Sequence, residues 1–263
     1  MAYFKFKEKD VYYEIHGKGV PFLMLNGIMM STKSWNDFIS DFSRNNQLIL
    51  VDFLDQGQSS KMSEPFNHDI QIDLVEALCD HLNLDKINLF GISYGGEIAI
   101  QFAIQYPHRL EKLLLFNTTA WTSDWLEEVG NAWNLASHNW ESYYATTIPV
   151  IYSPQFYVRE IDWIRKRKEV LKEVFSNRDF IDSMIRLTNS SVGYDVRDKV
   201  SQILVPTLIV SSEYDFVTPL NEQKFLADSI KDSHWVTIPN VGHASMYESP
   251  ELFKTLALGF ISK

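Results

Sequence analysis

Short aliphatic runs alternate with longer segments of helical period through the first 119 residues, and few folds accommodate that alternation. Phe22 to Asn26, Leu48 to Phe53, Ile87 to Ile92 and Leu113 to Asn117 are nearly unbroken apolar runs, as strands buried on both faces require. Between them, Trp35, Phe38, Ile39 and Phe42 recur at three-and-four spacing within Thr32 to Phe42, as do Ile70, Leu74, Leu78 and Leu82 within Asp69 to Leu82. These segments predict crossover helices, and hence a doubly wound, mostly parallel α/β sheet. Ahead of them, Tyr3 to Lys7 and Val11 to His16 alternate in period two around Lys9-Asp10, which predicts an antiparallel hairpin on the sheet edge.

The same alternation returns near the end. Val205 to Ser211 and Trp235 to Ile238 read as strands, with helices at Asn221 to Ile230 and Pro250 to Ile261. The middle departs from it: from about Ala120 to Lys199 no strand alternates with helix, yet five of the seven tryptophans (Trp121, Trp125, Trp133, Trp140 and Trp163) lie there. So many large apolar side chains must be buried, so residues 120–199 are expected to be a helical insertion opening near Thr122 and Ser123. Residues 1–119 and 200–263 would then form one α/β domain around it.

The balance of charge narrows the partners. A formal net charge of -10 repels a phosphate backbone, and the cluster Arg165 to Lys168 is spread round a predicted helix among acids, so nucleic acid is not expected. No apolar run approaches the roughly 20 residues that cross a bilayer, and Met1 to Gly19 lacks the apolar core of a secretory signal. The single Cys79 can form no internal disulfide. A cytoplasmic enzyme acting on a small molecule fits these features, with its oligomeric state left open.

The chemistry gathers where the predicted strands end. Gly91-Ile92-Ser93-Tyr94-Gly95 closes the strand Ile87 to Ile92 and opens a helical stretch, which is G-x-S-x-G in the context it requires. The glycines permit a sharp, strained turn that lifts the Ser93 hydroxyl clear of the sheet at a helix amino terminus. Alone, the motif is a weak signal, since a Gly-rich turn gives the same letters. A hydroxyl is nearly inert at neutral pH without a base, however, so the motif predicts a His and an acid downstream. His243 follows the last predicted strand, and Asp215 follows Val205 to Ser211, so both belong to the carboxyl edge where open α/β sheets collect ligands. Glu213 and Asp124 are lesser candidates for the acid. Of the remaining histidines, His68 and His81 bound a helix, His234 precedes its strand and belongs to the opposite edge, and His16, His108 and His138 lie away from the loop.

The order Ser93, Asp215, His243 and the phrases around them resemble the α/β-hydrolase fold family over essentially the whole chain. Leu204 to Val210 leading into Asp215 to Pro219 is similar to its acid-bearing strand and turn, and Ile238 to His243 followed by Glu248 to Glu251 to its histidine loop. The resemblance implies that Ile28 and Tyr94 supply backbone N–H groups to an oxyanion hole, that the insertion is a helical cap, and that neither metal nor organic cofactor is needed. This chain departs from the family at two places: Asn26-Gly27 stands for His-Gly, and Leu54-Asp55 stands where Arg-Gly is usual in D-x-R-G-x-G-x-S. Met29, Met30, Trp121 and Trp125 are candidates to line an apolar pocket for substrate. The expected activity is hydrolysis of a largely apolar carboxylic ester, lactone or thioester through an acyl-Ser93 intermediate. A carbon–carbon bond hydrolase acting on a diketone-like substrate, and a ligand receptor or regulatory protein with slow turnover, use the same residues.

Overall fold

Eight strands make one sheet: β1 (Ala2–Phe6), β2 (Lys9–His16), β3 (Val20–Leu25), β4 (Asn46–Val51), β5 (Ile87–Ile92), β6 (Leu110–Phe116), β7 (Thr207–Tyr214) and β8 (Ser233–Gly242). Their order in the sheet is β1-β2-β4-β3-β5-β6-β7-β8, and every pairing from β4 through β8 is parallel. The computed structural model from which this is taken describes residues 2–262. The helices are α1 (Ile39–Phe42), α2 (Asp69–His81), α3 (Tyr94–Gln105), α4 (Asp124–Ala136), α5 (Trp140–Ile151), α6 (Pro154–Arg159), α7 (Ile161–Phe175), α8 (Arg178–Ser190), α9 (Leu220–Ser229), α10 (Ser245–Glu248) and α11 (Pro250–Ile261).

The central strands are continuous apolar runs because each serves two cores at once. Leu23, Leu25, Ile49, Val51, Leu89, Leu113 and Leu115 pack into the layer containing α2, α3 and α9. Their alternates Phe22, Met24, Leu48, Leu50, Phe90, Leu114 and Phe116 pack into the layer containing α1 and α11. Phe253 anchors the second layer, with ring centroids 5.0 Å from Phe116 and 5.7 Å from Phe90. The predicted helix Thr32 to Phe42 is a 3₁₀ turn over Thr32–Phe38 running into α1, and it still delivers Trp35, Phe38 and Phe42 to that core.

The hairpin is present, but its turn lies at Lys7-Glu8 and not at Lys9-Asp10, which belong to β2 and pair with Phe6 and Lys5. Both turn residues have positive φ, 45° and 63°, the twist that a two-residue hairpin loop needs. Neither is Gly or Asn, so the turn carries no compositional signal. Likewise β8 runs longer than the four residues expected, because its parallel pairing with β7 continues to Tyr214 and Gly242.

Between β6 and β7 lie α4 to α8, with Trp133, Tyr143, Tyr152, Phe156 and Phe175 in their interior. The chain leaves and rejoins the sheet through a narrow neck: Trp121 bridges Asp195, Val196 N–H donates to Ala120 at 2.9 Å, and Thr122 N–H donates to Tyr194 at 2.8 Å. The Ser123 side chain caps α4 by accepting from Leu126 N–H. Among the described residues no helix is long and apolar enough to cross a membrane.

One ion pair ties these helices to the loop after β4. Asp55, fully buried, accepts from Arg186 of α8 through two bonds of 2.7 and 2.8 Å, and from Ser183 at 3.1 Å. Its φ is 70°, a left-handed conformation that explains why Gly is usual at this position. Arg186→Met is expected to lower unfolding free energy by about 3–5 kcal/mol in urea titration, because it strands a buried carboxylate. Asp55→Gly removes that charge and the backbone strain together, so its loss should be clearly smaller; equal losses would show that the charge is not what matters.

Candidate active site

The turn between β5 and α3 holds Ser93 at φ 53° and ψ -124°, a strained backbone position. It persists because the surroundings fix it from several sides. Ser93 N–H donates to Phe116 at 3.0 Å, and its carbonyl accepts from Gly96 N–H at 2.8 Å and from the Thr118 hydroxyl at 2.9 Å. A Cβ on Gly95 would lie 2.5 Å from the Leu25 carbonyl oxygen, and one on Gly91 would strike the backbone of Gly95 and Gly96, so only glycine lets α3 approach the sheet this closely.

Two loops from the same sheet edge reach this serine. His243, directly after β8, brings Nε2 to 2.9 Å from Ser93 Oγ and Nδ1 to 2.9 Å from both oxygens of Asp215, which follows β7. The histidine loop is fastened where Ala244 N–H donates to Ile151 at the end of α5, at 2.8 Å. The Asp215 carboxylate also accepts from the N–H groups of Val217 and Thr218, the Thr218 hydroxyl, and the side-chain amides of Asn117 and Gln223, all at 2.9 to 3.0 Å. Burial opposes its ionisation, but the charge and hydrogen bond of His243, together with these donors, outweigh burial and hold the carboxyl below its usual range. The other acids are elsewhere: Glu213 is exposed and accepts from Asn240 N–H at 2.8 Å, while exposed Asp124 opens α4. His234 stands near the far end of β8, against Phe260.

The loop after β3 closes the site on its remaining side. A Cβ on Gly27 would lie 3.6 Å from that of Ser93, and the N–H groups of Ile28 and Tyr94 donate to no backbone acceptor among the described residues. Asn26 braces this loop: its amide donates to Val51 at 2.8 Å and to Gln56 at 3.1 Å, and its oxygen accepts from the Trp35 indole at 2.7 Å. Gln56 completes the brace by donating to the Gly27 carbonyl at 2.9 Å. The sequence reading did not single out Gln56, Asn117 or Gln223 as site residues. Asn117 alone carried a signal, since it ends β6 at the chemically active edge.

Two cavities meet at Ser93. One is largely apolar, lies beneath α5 and α7, and is lined by Met29, Met30, Trp133, Ile148, Phe175 and His243. The other runs along α4 and α8 past Tyr94 and Glu97 to Asn131, Asn134 and Thr188. Met29 and Met30 therefore line the site, but Trp121 and Trp125 are not brought to either cavity. Trp121 packs against Phe225 with the Arg197 guanidinium 4.9 Å above its ring. Trp125 is 52% exposed, and its indole donates to the Phe216 carbonyl at 2.8 Å. Trp125 stands in the first turn of α4, held at the loop after β7 by that bond, and it is Trp133, two turns further along the same helix, that reaches the cavity. Among the described residues no group of three or more His, Cys, Asp or Glu is placed to hold a metal ion.

One turn beyond Ser93, Glu97 is buried at the end of a hydrogen-bond chain. Gln101 donates to His68 Nδ1 at 2.8 Å, which leaves Nε2–H to face the Ser191 hydroxyl at 3.0 Å, and Ser191 donates to Glu97 at 2.9 Å. Burial pushes Glu97 up to about 8 and His68 down to about 3, so both are neutral at pH 7. The raised Glu97 value adds stability that is complete below about pH 4.5 and is lost as pH climbs to about 8. Glu97→Gln should consequently raise the Tm above that of the wild type by several degrees at about pH 8, with a smaller difference near pH 5. A difference that does not grow with pH would show that Glu97 ionises freely in the folded state.

Comparison with known proteins sets this geometry among relatives. The family model described as alpha/beta hydrolase fold matches residues 20–250. The crystal structure of MGS-M2, an alpha/beta hydrolase enzyme from a Medee basin deep-sea metagenome library, superposes with a TM-score of 0.98 at 47% identity, covering 100% of this chain and 98% of that one. RutD of Azorhizobium caulinodans, a protein named for carbamate hydrolysis, is 26% identical over 99% of this chain and 98% of its own length. Pimeloyl-(acyl-carrier protein) methyl ester esterase of Nitrosomonas europaea is 24% identical over 93% of this chain and 96% of its own length.

Proposed function

The chain belongs to the α/β-hydrolase fold family and is a hydrolase, and from that premise we propose that it cleaves carboxylic esters, lactones or thioesters through an acyl-Ser93 intermediate. The observation that carries this reading is the unbroken contact from Ser93 Oγ through His243 to buried Asp215, opening on an apolar cavity. Neutral His243 takes the Ser93 proton at Nε2 as Oγ attacks the acyl carbonyl, and ionised Asp215 stabilises the imidazolium that forms. The developing oxyanion is received by the N–H groups of Ile28 and Tyr94, aided by the positive end of α3. His243 then protonates the leaving group and afterwards activates the water that releases the acid. Residues 120–199 act as a cap in this reading, excluding bulk water and lining the acyl side with apolar groups such as Ile148 and Phe175.

Ester chemistry is favoured by the Nitrosomonas relative, whose name gives a methyl ester as its bond. A fluorophosphonate probe should label the wild type at Ser93, and a series of acyl esters of increasing chain length should be hydrolysed at rates near the about 10 per second typical of enzymes. Labelling without turnover of any ester, lactone or thioester would reject the substrate class while leaving the nucleophile in place.

A further inference from the structure

The apolar cavity contains one charge that the proposed chemistry does not use. Arg167, on α7, lines it beside Leu171 and Phe175, and among the described residues no carboxylate is paired with its guanidinium. Acids on neighbouring segments are engaged elsewhere: Asp162 pairs with Arg165, and Glu248 accepts from Ser153 and from Gly242 N–H. The guanidinium is held between aromatic faces, 4.6 Å from the Tyr247 ring centroid and 5.3 Å from that of Trp163. Stacking orients a cation and compensates part of its desolvation, yet it uses none of the N–H donors, which lie in the plane of the group. Arg167 Nε is accordingly buried without a hydrogen-bond partner, and the groups beside the rest of the fork are the Tyr152 and Tyr247 hydroxyls, not a carboxylate.

We propose that Arg167 recognises a carboxylate at the far end of the acyl chain whose carbonyl is attacked by Ser93, so that the preferred substrates are half-esters of dicarboxylic acids. This assignment of substrate class rests on the hydrolase reading above. A planar guanidinium with Nε free and no carboxylate of its own matches one through two parallel hydrogen bonds. The cavity between Ser93 and Arg167 is walled by apolar side chains that suit the methylene chain between the two ends. Arg167 also borders a shallow outer groove with Trp163 and Lys166. A terminal carboxylate there keeps contact with water and gains a second nearby cation, so its desolvation cost is small. The net charge of -10 repels anions at long range, which makes a local cation the condition for accepting such a substrate at all.

The test compares kcat/KM for monophenyl esters of straight-chain dicarboxylic acids of about six to nine carbons with phenyl esters of monocarboxylic acids of equal length. At one length the wild type should favour the half-ester. In Arg167→Met the ratio of half-ester to neutral ester should fall by about 10- to 100-fold, mainly through KM, as expected for a lost hydrogen bond to a charged group. Arg167→Lys, which keeps the charge without the fork, should recover part of it. Preference for the neutral ester at every length, or an equal loss on both series in Arg167→Met, would overturn the assignment and leave the stack a structural support. Should neither series be cleaved, the ester reading fails, and the anion site is judged by binding: suberate should slow fluorophosphonate labelling of Ser93 in the wild type and not in Arg167→Met. Absence of that protection overturns the proposal as well.

Discussion

Ser93→Ala is expected to lower kcat by about 10⁴- to 10⁶-fold while the protein keeps its fold and thermal stability, as when the nucleophile of a cooperating set is lost. The structure explains why folding should survive. The Ser93 side chain makes one hydrogen bond, to His243 Nε2, whereas the bonds that hold the strained turn all come from its backbone. Alanine retains the Cβ, so the cost of φ 53° is unchanged. The neighbouring N–H groups and the apolar cavity remain, which is why residual activity above the uncatalysed rate is expected. Turnover of a good ester substrate at the wild-type rate, with fluorophosphonate labelling lost, would remove Ser93 from the mechanism.

Asp215→Asn should cost up to about 10⁴-fold in kcat, because the amide no longer holds His243 in the tautomer whose Nε2 can accept a proton. The arrangement around Asp215 makes the substitution harsher than a change of charge alone. Six donors converge on the carboxylate, counting His243 Nδ1–H. An asparagine places its own N–H₂ among them, leaving buried donors facing donors at a cost of about 1–3 kcal/mol in stability. Circular dichroism and urea unfolding alongside kinetics separate the two losses. A nearly silent Asp215→Asn with an impaired Asp124→Asn would transfer the orienting role. The carboxyl of Asp215 is held below its ordinary range, so it stays ionised in mild acid. Any acid-side loss of kcat/KM above the ordinary carboxylate range must therefore come from a group other than Asp215.

The parallel core was legible because its strands are buried on both faces and so must be apolar throughout, a pattern local enough to read from Leu23, Leu89 or Leu114 and their neighbours. The meeting of Ser93, Asp215 and His243 was legible for a related reason. Parallel strands joined by crossovers put the loops that follow them on one edge, so residues 150 positions apart, Ser93 and His243, become neighbours by topology alone. What was misread depends on register and on where a helix sits. The hairpin turn at Lys7-Glu8 has no Gly or Asn to mark it, and the placement of α4 brings Trp133 to the cavity and leaves Trp125, in its first turn, half exposed.

The sequence by itself determined the sheet, its crossovers and which three side chains could meet at its edge, since periodicity and chain order are properties of the letters. Tertiary structure alone decided how that meeting is held and what lies around it. The Asn117 donor on Asp215, the Asn26 and Gln56 brace on the loop at Ile28, and the Asp55 to Arg186 tie to α8 all join residues far apart in sequence and outside any motif. Their partners are chosen by packing. A buried polar atom must be matched by whatever the fold brings within about 3 Å, and no local pattern records that choice. The same holds for Arg167, which reads in sequence as one charge in a solvated cluster, Arg165 to Lys168, and is turned inward by the phase of α7 to face the cavity at Ser93.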